Sequence, residues 1–502
     1  MQELISFMQQ KGFIWGPTPE IYGGLAGFYT YAPLGKMLKN NIENVVRDVF
    51  FKNDFLEVEC PTIMPKIVWE ASGHLGGFTD AMITCKKCKS SFKAEQLLQE
   101  LFPDKKITSF ESFLSKNNVK CPSCQTIFDS KVEQHNLMMK TVVGIGNEAY
   151  NRPETATTTY LEFLRYYDFF RKKLPFGVFQ IGNAYRNEIS PRQHLLRTRE
   201  FTQAEAQLFI FKDQKNNFPK FDNVQKDKLT FWAWELQSKN KKPETISLED
   251  AMKRKFLKNK VYAYMIWLTH KIFLEIGIPE EKIRLTQHSP DEKAFYADDA
   301  WDVEVNLNSF GWTEICGVHD RTDYDLKQHA KFSKTNMEVL DEQTNEKKIP
   351  HILEIAFGTG RLTFAVLDLN YDKKSEEEGK TILKLSPKLT PFKVAVYPLL
   401  KKPELTALAE KIFTDLNAEF LCKYDEKGSI GKRYLRASEE GTPYVVTVDF
   451  DSLEKKDVTI RDRDTENQVR VKISDLKETL KALIYNKQTF VMLNKKQCVS
   501  RR

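Results

Sequence analysis

The chain has 502 residues, of which 41% are hydrophobic and 29% charged, and a formal net charge of +7. That length predicts two to four domains around a large core, and the mild charge excludes a uniformly basic nucleic-acid coat, so any polyanion must be met by local patches. No run approaches the roughly 20 apolar residues of a membrane span, and the first residues lack the basic region, apolar core and cleavage site of a secretory signal, so the expected compartment is the cytoplasm.

The pattern starts as a short helix that enters a Gly/Pro-rich loop. Residues 34 to 52 repeat apolar side chains at helical spacing, with Leu38, Ile42, Val45, Val46 and Val49 on one side. FLEVECPTIMP follows as a strand ending at Pro61 and Pro65. A Lys-rich insertion is then bracketed by cysteine pairs. After NLMMKT and a Gly-rich turn, YNRPETATTTYLEFLRYYDFF reads as an amphipathic helix with proline near its start. Two alternating runs around residues 182 to 205 form a hairpin with a long loop containing Ser190 and Pro191. Residues 212 to 292, rich in Lys and Asn, read as a second, helical insertion with two helices around 247 to 277. Core strands resume at FYADDAWDVEV and GWTEICGVHDR, and HILEIAFGTGRLTFAVLDL reads as strand, glycine turn and helix. The run 372 to 380 reads as a solvated loop. From about residue 388, strands alternate with helices, which predicts a separate small α/β domain. The fold class is α+β, with domain limits at 1–388, carrying insertions at 81–134 and 212–292, and at 389–502.

The hairpin GNAYRNEISPRQHLLRTREFTQAE carries the chemistry. Side chains alternate faces along a strand, so Arg186 and Glu188 share one face of the first run, and Phe201, Gln203 and Glu205 share one face of the second. If the faces coincide, an arginine that can fork onto phosphate, an aromatic that can stack a base and carboxylates that can hold an ammonium stand together. Glu154 sits in RPETA, where a carboxylate also favours a helix start. Glu314 and the triplet His319, Asp320, Arg321 lie in one strand-like run. Glu354 and Ala356 share a strand face, and Gly358 and Gly360 allow close backbone approach before Arg361.

Eight cysteines include two C-x-x-C pairs, Cys85 with Cys88 and Cys121 with Cys124, separated by 32 residues. In a large chain without an export signal this spacing predicts one structural, tetrahedral Zn²⁺ held by four thiolates. His74 and His135 read as ordinary polar side chains.

Taken in order, these segments resemble the class II aminoacyl-tRNA synthetases. FLEVECPTIMP resembles motif 1, AYRNE with RTREF motif 2, and AFGTGRLTF motif 3. EIYGGLAGFYTYAPLG, NLMMKT, RPETA, REFTQAE and WTEICGVHDRTDYDLKQH narrow the resemblance to the homodimeric glycyl-tRNA synthetases. It covers residues 20 to about 400 outside the insertions, and the last domain is similar to that family's anticodon-binding module.

The resemblance implies a class II antiparallel sheet flanked by helices. It also implies ATP with Mg²⁺, glycine and tRNA(Gly) as partners, and a homodimer. Arg186 would hold the α-phosphate, Glu188 the adenine side, and Phe201 the adenine ring, with Arg361 on its other face and reaching the γ-phosphate. Asn187, Leu196, Arg197, Thr198, Arg199, Gly358, Thr359 and Gly360 would bound ATP. Glu314 and Ile315 would contact it, with Glu314 a Mg²⁺ partner. Glu154, Glu205 and Glu354 would cup the glycine ammonium, with Phe201, Thr202, Gln203, Ala204, Ala356 and Gly358 beside them. Four departures stand out: Ala356 replaces an expected serine, Gln207 an acid, Lys93 an arginine, and RPETA continues as TTT. Class II enzymes for other amino acids share the core but not Glu154, Glu205 and GVHDRTDYDL together. A non-enzymatic relative, the accessory subunit of a mitochondrial DNA polymerase, need not keep Arg186, Glu188, Phe201 and Arg361.

Overall fold

The computed structural model describes all residues except 104, 106, 190, 192, 294–296, 374–379, 486–488 and 494–502. Ser190, Cys498 and most of the expected solvated loop at 372–380 therefore lie outside the described residues.

Nine strands make the main sheet: β1 (Phe55–Glu57), β2 (Phe176–Tyr185), β3 (Glu200–Ile210), β4 (Lys228–Trp232), β5 (Glu244–Ser247), β6 (Ile283–Gln287), β7 (Asp299–Leu307), β8 (Gly311–Thr322) and β9 (His351–Gly358). Their order is β5-β4-β6-β7-β8-β9-β3-β2-β1. The expected sheet is antiparallel. The observed one is mixed, because β1 pairs parallel with β2 and β4 pairs parallel with β6.

One face of the sheet is covered by three helices, α1 (Pro33–Lys52), α2 (Lys260–Ile276) and α3 (Thr359–Asn370). Helix α1 starts with proline at its first turn and buries the five predicted apolar positions. Helix α2 is capped by Asn259, whose side chain accepts from the Tyr262 amide. It ends at Gly277, whose φ of 91° suits a residue without Cβ. These helices and the sheet share one apolar core that includes Leu38, Ile42, Ile266, Phe273, Phe357 and Phe364. The opposite face is shared between a second apolar cluster, in which Phe176, Val178, Phe209 and Ile352 pack against helices Ala156–Tyr160, Phe163–Phe169 and Tyr324–Ser333, and the cavity described below.

Three further sequence expectations are corrected. Residues 212–292 are not a purely helical insertion: two helices, Leu248–Lys253 and α2, lie where expected, but β4, β5 and β6 extend the main sheet. Short β-rich runs there alternate too briefly to stand out from the polar background. FLEVECPTIMP splits into β1 and Ile63–Pro65, which pairs in a separate three-stranded sheet, as Pro61 between them cannot donate to a ladder. The helix expected after RPETA is two short ones, Ala156–Tyr160 and Phe163–Phe169.

The insertion with the cysteine pairs builds a small sheet, Thr79–Thr84 with Ser91–Lys93 and Glu133–Asn136, plus helices Ala94–Leu101 and Phe110–Lys116. The C-terminal part has its own core and a five-stranded sheet of β10 (Val394–Pro398), β11 (Cys422–Tyr424), β12 (Tyr444–Val448), β13 (Asp457–Asp462) and β14 (Gln468–Lys472), in the order β11-β10-β12-β13-β14. Its first three strands run parallel and the last two antiparallel. Helices Pro403–Asn417, Ile430–Glu439 and Ile473–Ile484 accompany them. The strand Cys422–Tyr424 and the amphipathic helix Ile430–Glu439 add to the elements expected there from sequence. Among the described residues no helix is long and apolar enough to cross a membrane.

Candidate active site

The hairpin of β2 and β3 pairs Ala184 with Phe201, Gly182 with Gln203 and Gln180 with Glu205. Alternation therefore puts Phe201, Gln203 and Glu205 on the side toward which Arg186 emerges from β2. On the other flank of β3, Glu205 faces Ala356 and Gln207 faces Glu354, while β8 sets Gly317 opposite Ala356 and His319 opposite Glu354. The result is a cavity of about 290 Å³ lined by Glu154, Arg186, Glu188, Phe201, Gln203, Glu205, Glu314, Ile315, Glu354, Ala356, Gly358, Gly360 and Arg361. Leu196, Arg197 and Thr198 from the hairpin loop also reach it.

Its cationic groups are fixed before any ligand enters. The Arg186 guanidinium carbon lies 5.4 Å from the Phe201 ring centroid and 5.3 Å from that of Phe78, while its Nε donates to the Pro153 carbonyl at 3.1 Å. Arg361 donates through Nε to the Leu196 carbonyl at 3.1 Å and pairs with the Glu314 carboxylate at 3.0 Å. Glu188 is buried and accepts from Arg197 at 2.9 Å, with Lys93 4.0 Å away. Lys93 thus stands near Glu188 as a point charge, where the resemblance calls for an arginine.

The acidic end is deeper. Glu205 accepts from the Thr155 hydroxyl at 2.5 Å and from the Gln203 amide at 2.6 Å. Glu354 accepts from the Tyr160 hydroxyl at 2.7 Å and from Arg321 at 3.2 Å, and its Oε1 lies 3.2 Å from His319 Nδ1. Glu154 accepts from Thr157 at 2.7 Å and lies 3.6 Å from His74 Nε2. Three carboxylates in one buried pocket cannot all ionise without compensation. Burial, then the charges of Glu354 and Glu154, push the Glu205 carboxyl up to about 8. Burial opposes ionisation of the other two as well, but His74 and Arg321 hold Glu154, and Arg321 and His319 hold Glu354, below the usual carboxylate range.

Not every predicted residue faces the cavity. Thr202 and Ala204 alternate to the back of β3: Ala204 is in the apolar core, and the Thr202 hydroxyl accepts from Lys39 at 2.6 Å. The Thr359 hydroxyl donates to Glu43 at 3.0 Å within the helical layer. Arg199 donates to the Glu188 and Ala26 carbonyls and so shapes the loop from outside, and the Asn187 carbonyl lies 2.9 Å from His135 Nε2. Strand alternation corrects the contiguous run 201–205 to its odd-numbered members. Conversely, Tyr29, Tyr31, His288, Asp302, His319 and Arg321 line the cavity without having been assigned to it. Tyr29 and Tyr31 belong to EIYGGLAGFYTYAPLG, which was recognisable as a motif but gave no role for its tyrosines.

The four cysteines converge as well. Their sulfurs all lie within 4.8 Å of one another, with 3.5 Å between Cys85 and Cys124 and 3.6 Å between Cys88 and Cys121. A tetrahedral Zn²⁺ with bonds near 2.3 Å needs sulfurs roughly 3.8 Å apart. The two turns match: the Lys89 amide donates to the Cys85 carbonyl and the Gln125 amide to that of Cys121, with φ of 60° and 62° at Lys89 and Gln125.

Residues 393–483 match the anticodon binding domain family. A glycine--tRNA ligase of Pyrococcus horikoshii is 39% identical over 96% of this chain and 98% of its own length. The chain belongs to the glycine–tRNA ligase family. A member from Methanococcus maripaludis is 36% identical over 95% of this chain and 99% of its own, and one from Methanothrix thermoacetophila is 36% identical over 94% of each. As a member of this family the chain is an aminoacyl-tRNA synthetase.

Proposed function

We propose that the cavity activates glycine with ATP and that the chain then transfers it to the 3′ end of tRNA(Gly). The observation that carries this reading is the meeting of Arg186, Phe201 and Arg361 with Glu205 and Glu354 in one cavity of a chain in the glycine–tRNA ligase family. The glycine carboxylate attacks the ATP α-phosphorus in line, the bond to the β-phosphate oxygen breaks, and pyrophosphate leaves. The carboxylate is already ionised at neutral pH, so no base is needed for this step. Arg186 is placed to stabilise charge on the phosphorus oxygens, held still by Phe78, Phe201 and Pro153. Phe201 offers a face to the adenine, and Arg361 exchanges Glu314 for phosphate. Mg²⁺ would enter with ATP, and Glu314, half exposed at the cavity, offers the oxygen donor that a hard cation takes. The tRNA 3′-hydroxyl then attacks the adenylate carbonyl and AMP leaves.

Glu154, Glu205 and Glu354 supply the negative field for the glycine ammonium. Cys85, Cys88, Cys121 and Cys124 would hold one Zn²⁺ as a closed structural site. The domain from about residue 389 would bind the anticodon arm. A homodimer is supported by apolar side chains exposed around the motif 1 region, among them Ile63, Ile67, Val142 and Val143. The cytoplasm is the compartment proposed for this activity. Glycine-dependent ATP–pyrophosphate exchange on purified protein tests the central claim: exchange with glycine but not proline, serine or threonine is expected, and absence of glycine-dependent exchange would refute it.

A further inference from the structure

The imidazole of His319 lies back along its own strand. A Cβ built on Gly317 would stand 2.6 Å from His319 Cε1 and 3.3 Å from Nε2, so the ring occupies the space a larger residue at 317 would fill. Gly317 is the direct cross-strand partner of Ala356. The ring therefore stands over Gly317, across the strand pair from Ala356, on the cavity side of β8 and β9. It is held from two directions. Nδ1 lies 3.2 Å from Glu354 Oε1, and the His288 ring packs against it edge-on, with centroids 6.1 Å apart and planes at 81°. His288 is in turn fixed by Asp302, whose Oδ2 lies 2.9 Å from its Nε2. His288 directly follows β6, so the segment 212–292 contributes a wall of the site rather than standing apart from it.

Resting on the glycine reading above, we infer that His319 is the specificity-determining wall of the amino-acid pocket. Its imidazole, buttressed by His288, fills the space beside Gly317 and Ala356, so that only an amino acid without a Cβ fits next to Glu205 and Glu354. The pairing of glycine and alanine at 317 and 356 would by itself leave room for a small side chain. The ring closes that room while its hydrogen bond to Glu354 keeps the wall polar.

The test is amino-acid-dependent ATP–pyrophosphate exchange with glycine and with alanine. Removing the ring in His319→Ala is expected to reduce the glycine-to-alanine ratio of kcat/KM by ~10- to 100-fold, the discrimination one added methyl group commands in a fitted pocket, with KM for ATP unchanged. His319→Gln, which keeps bulk and a donor, should recover part of the ratio. Gly317→Ala keeps every polar group but forces the ring into the cavity, so KM for glycine should rise ~10-fold while KM for ATP holds. An unchanged ratio in a folded His319→Ala enzyme overturns the inference alone. If that variant does not fold, an unchanged glycine KM in Gly317→Ala does so. Absence of glycine-dependent exchange in the unaltered enzyme overturns the glycine reading, and the inference with it.

Discussion

The Arg186 guanidinium sits between two aromatic rings, 5.4 Å from the centroid of Phe201 and 5.3 Å from that of Phe78. One residue thus joins the hairpin that would carry the adenine to the segment just before the cysteine insertion. Arg186→Ala should lower glycine-dependent exchange ~100-fold or more, as for other fixed stabilisers of transition-state charge. The main sheet should persist, because β2 ends before Arg186. Exchange rate and circular dichroism on one preparation check both parts, and near-normal exchange would remove Arg186 from the phosphate site.

Glu205 gives a prediction with a definite sign. Its folded carboxyl titrates near 8, above the ordinary 4.5, because of burial first and then Glu354 and Glu154. The folded state therefore binds more protons than the unfolded one between about pH 4.5 and 8, and the stability this residue confers is lost as pH rises through that window. Glu205→Gln should melt higher than the parent at pH 8, with the difference shrinking toward pH 4.5. The same substitution should weaken glycine use ~10- to 100-fold while sparing ATP, since a charge-assisted contact is worth roughly 1.5–3 kcal/mol. Equal loss for both substrates would mean that the carboxylate serves only the architecture of the site.

Glycine binding should follow the same proton. An ammonium beside Glu205 favours the ionised carboxylate, so binding near neutral pH should release a proton and tighten as pH rises toward 8. Calorimetry in buffers of different ionisation enthalpy measures that release. Affinity independent of pH between 6 and 8 would place the ammonium elsewhere.

The cysteine cluster predicts about one zinc per chain by elemental analysis of protein prepared without chelator. Cys88→Ser should lose the metal and loosen residues 79–136, leaving β2 and β3 folded, because the small sheet has its own apolar core around Ile83, Leu97 and Leu114. Four freely titratable thiols in native protein would reject the site.

Gly182 offers a purely structural test. A Cβ there would come within 2.3 Å of an Arg152 guanidinium nitrogen, and Arg152 is buried and already bonded to the carbonyls of Asn183 and Cys60 and the Gln180 amide oxygen. Gly182→Ala should cost about 1–3 kcal/mol, as overpacking commonly does, seen as a lower Tm.

Much of this was legible in the sequence because the chemistry depends on local spacing. Period-2 alternation put Phe201, Gln203 and Glu205 on one face, helical periodicity found Pro33–Lys52, and C-x-x-C spacing found both cysteine turns. Residue order also identified the family. Strand register across the sheet was not encoded locally. It decided that Glu205 faces Ala356, that Gly317 lies beside them, and that Thr202 and Ala204 turn to the core. Nor could any local pattern bring His288, from a segment that reads as a helical insertion, against His319 and Asp302. Periodicity reports which side of an element is apolar. Which distant strand lies beside it is settled by packing of the whole sheet, and that packing fixes the protonation and the walls of the cavity.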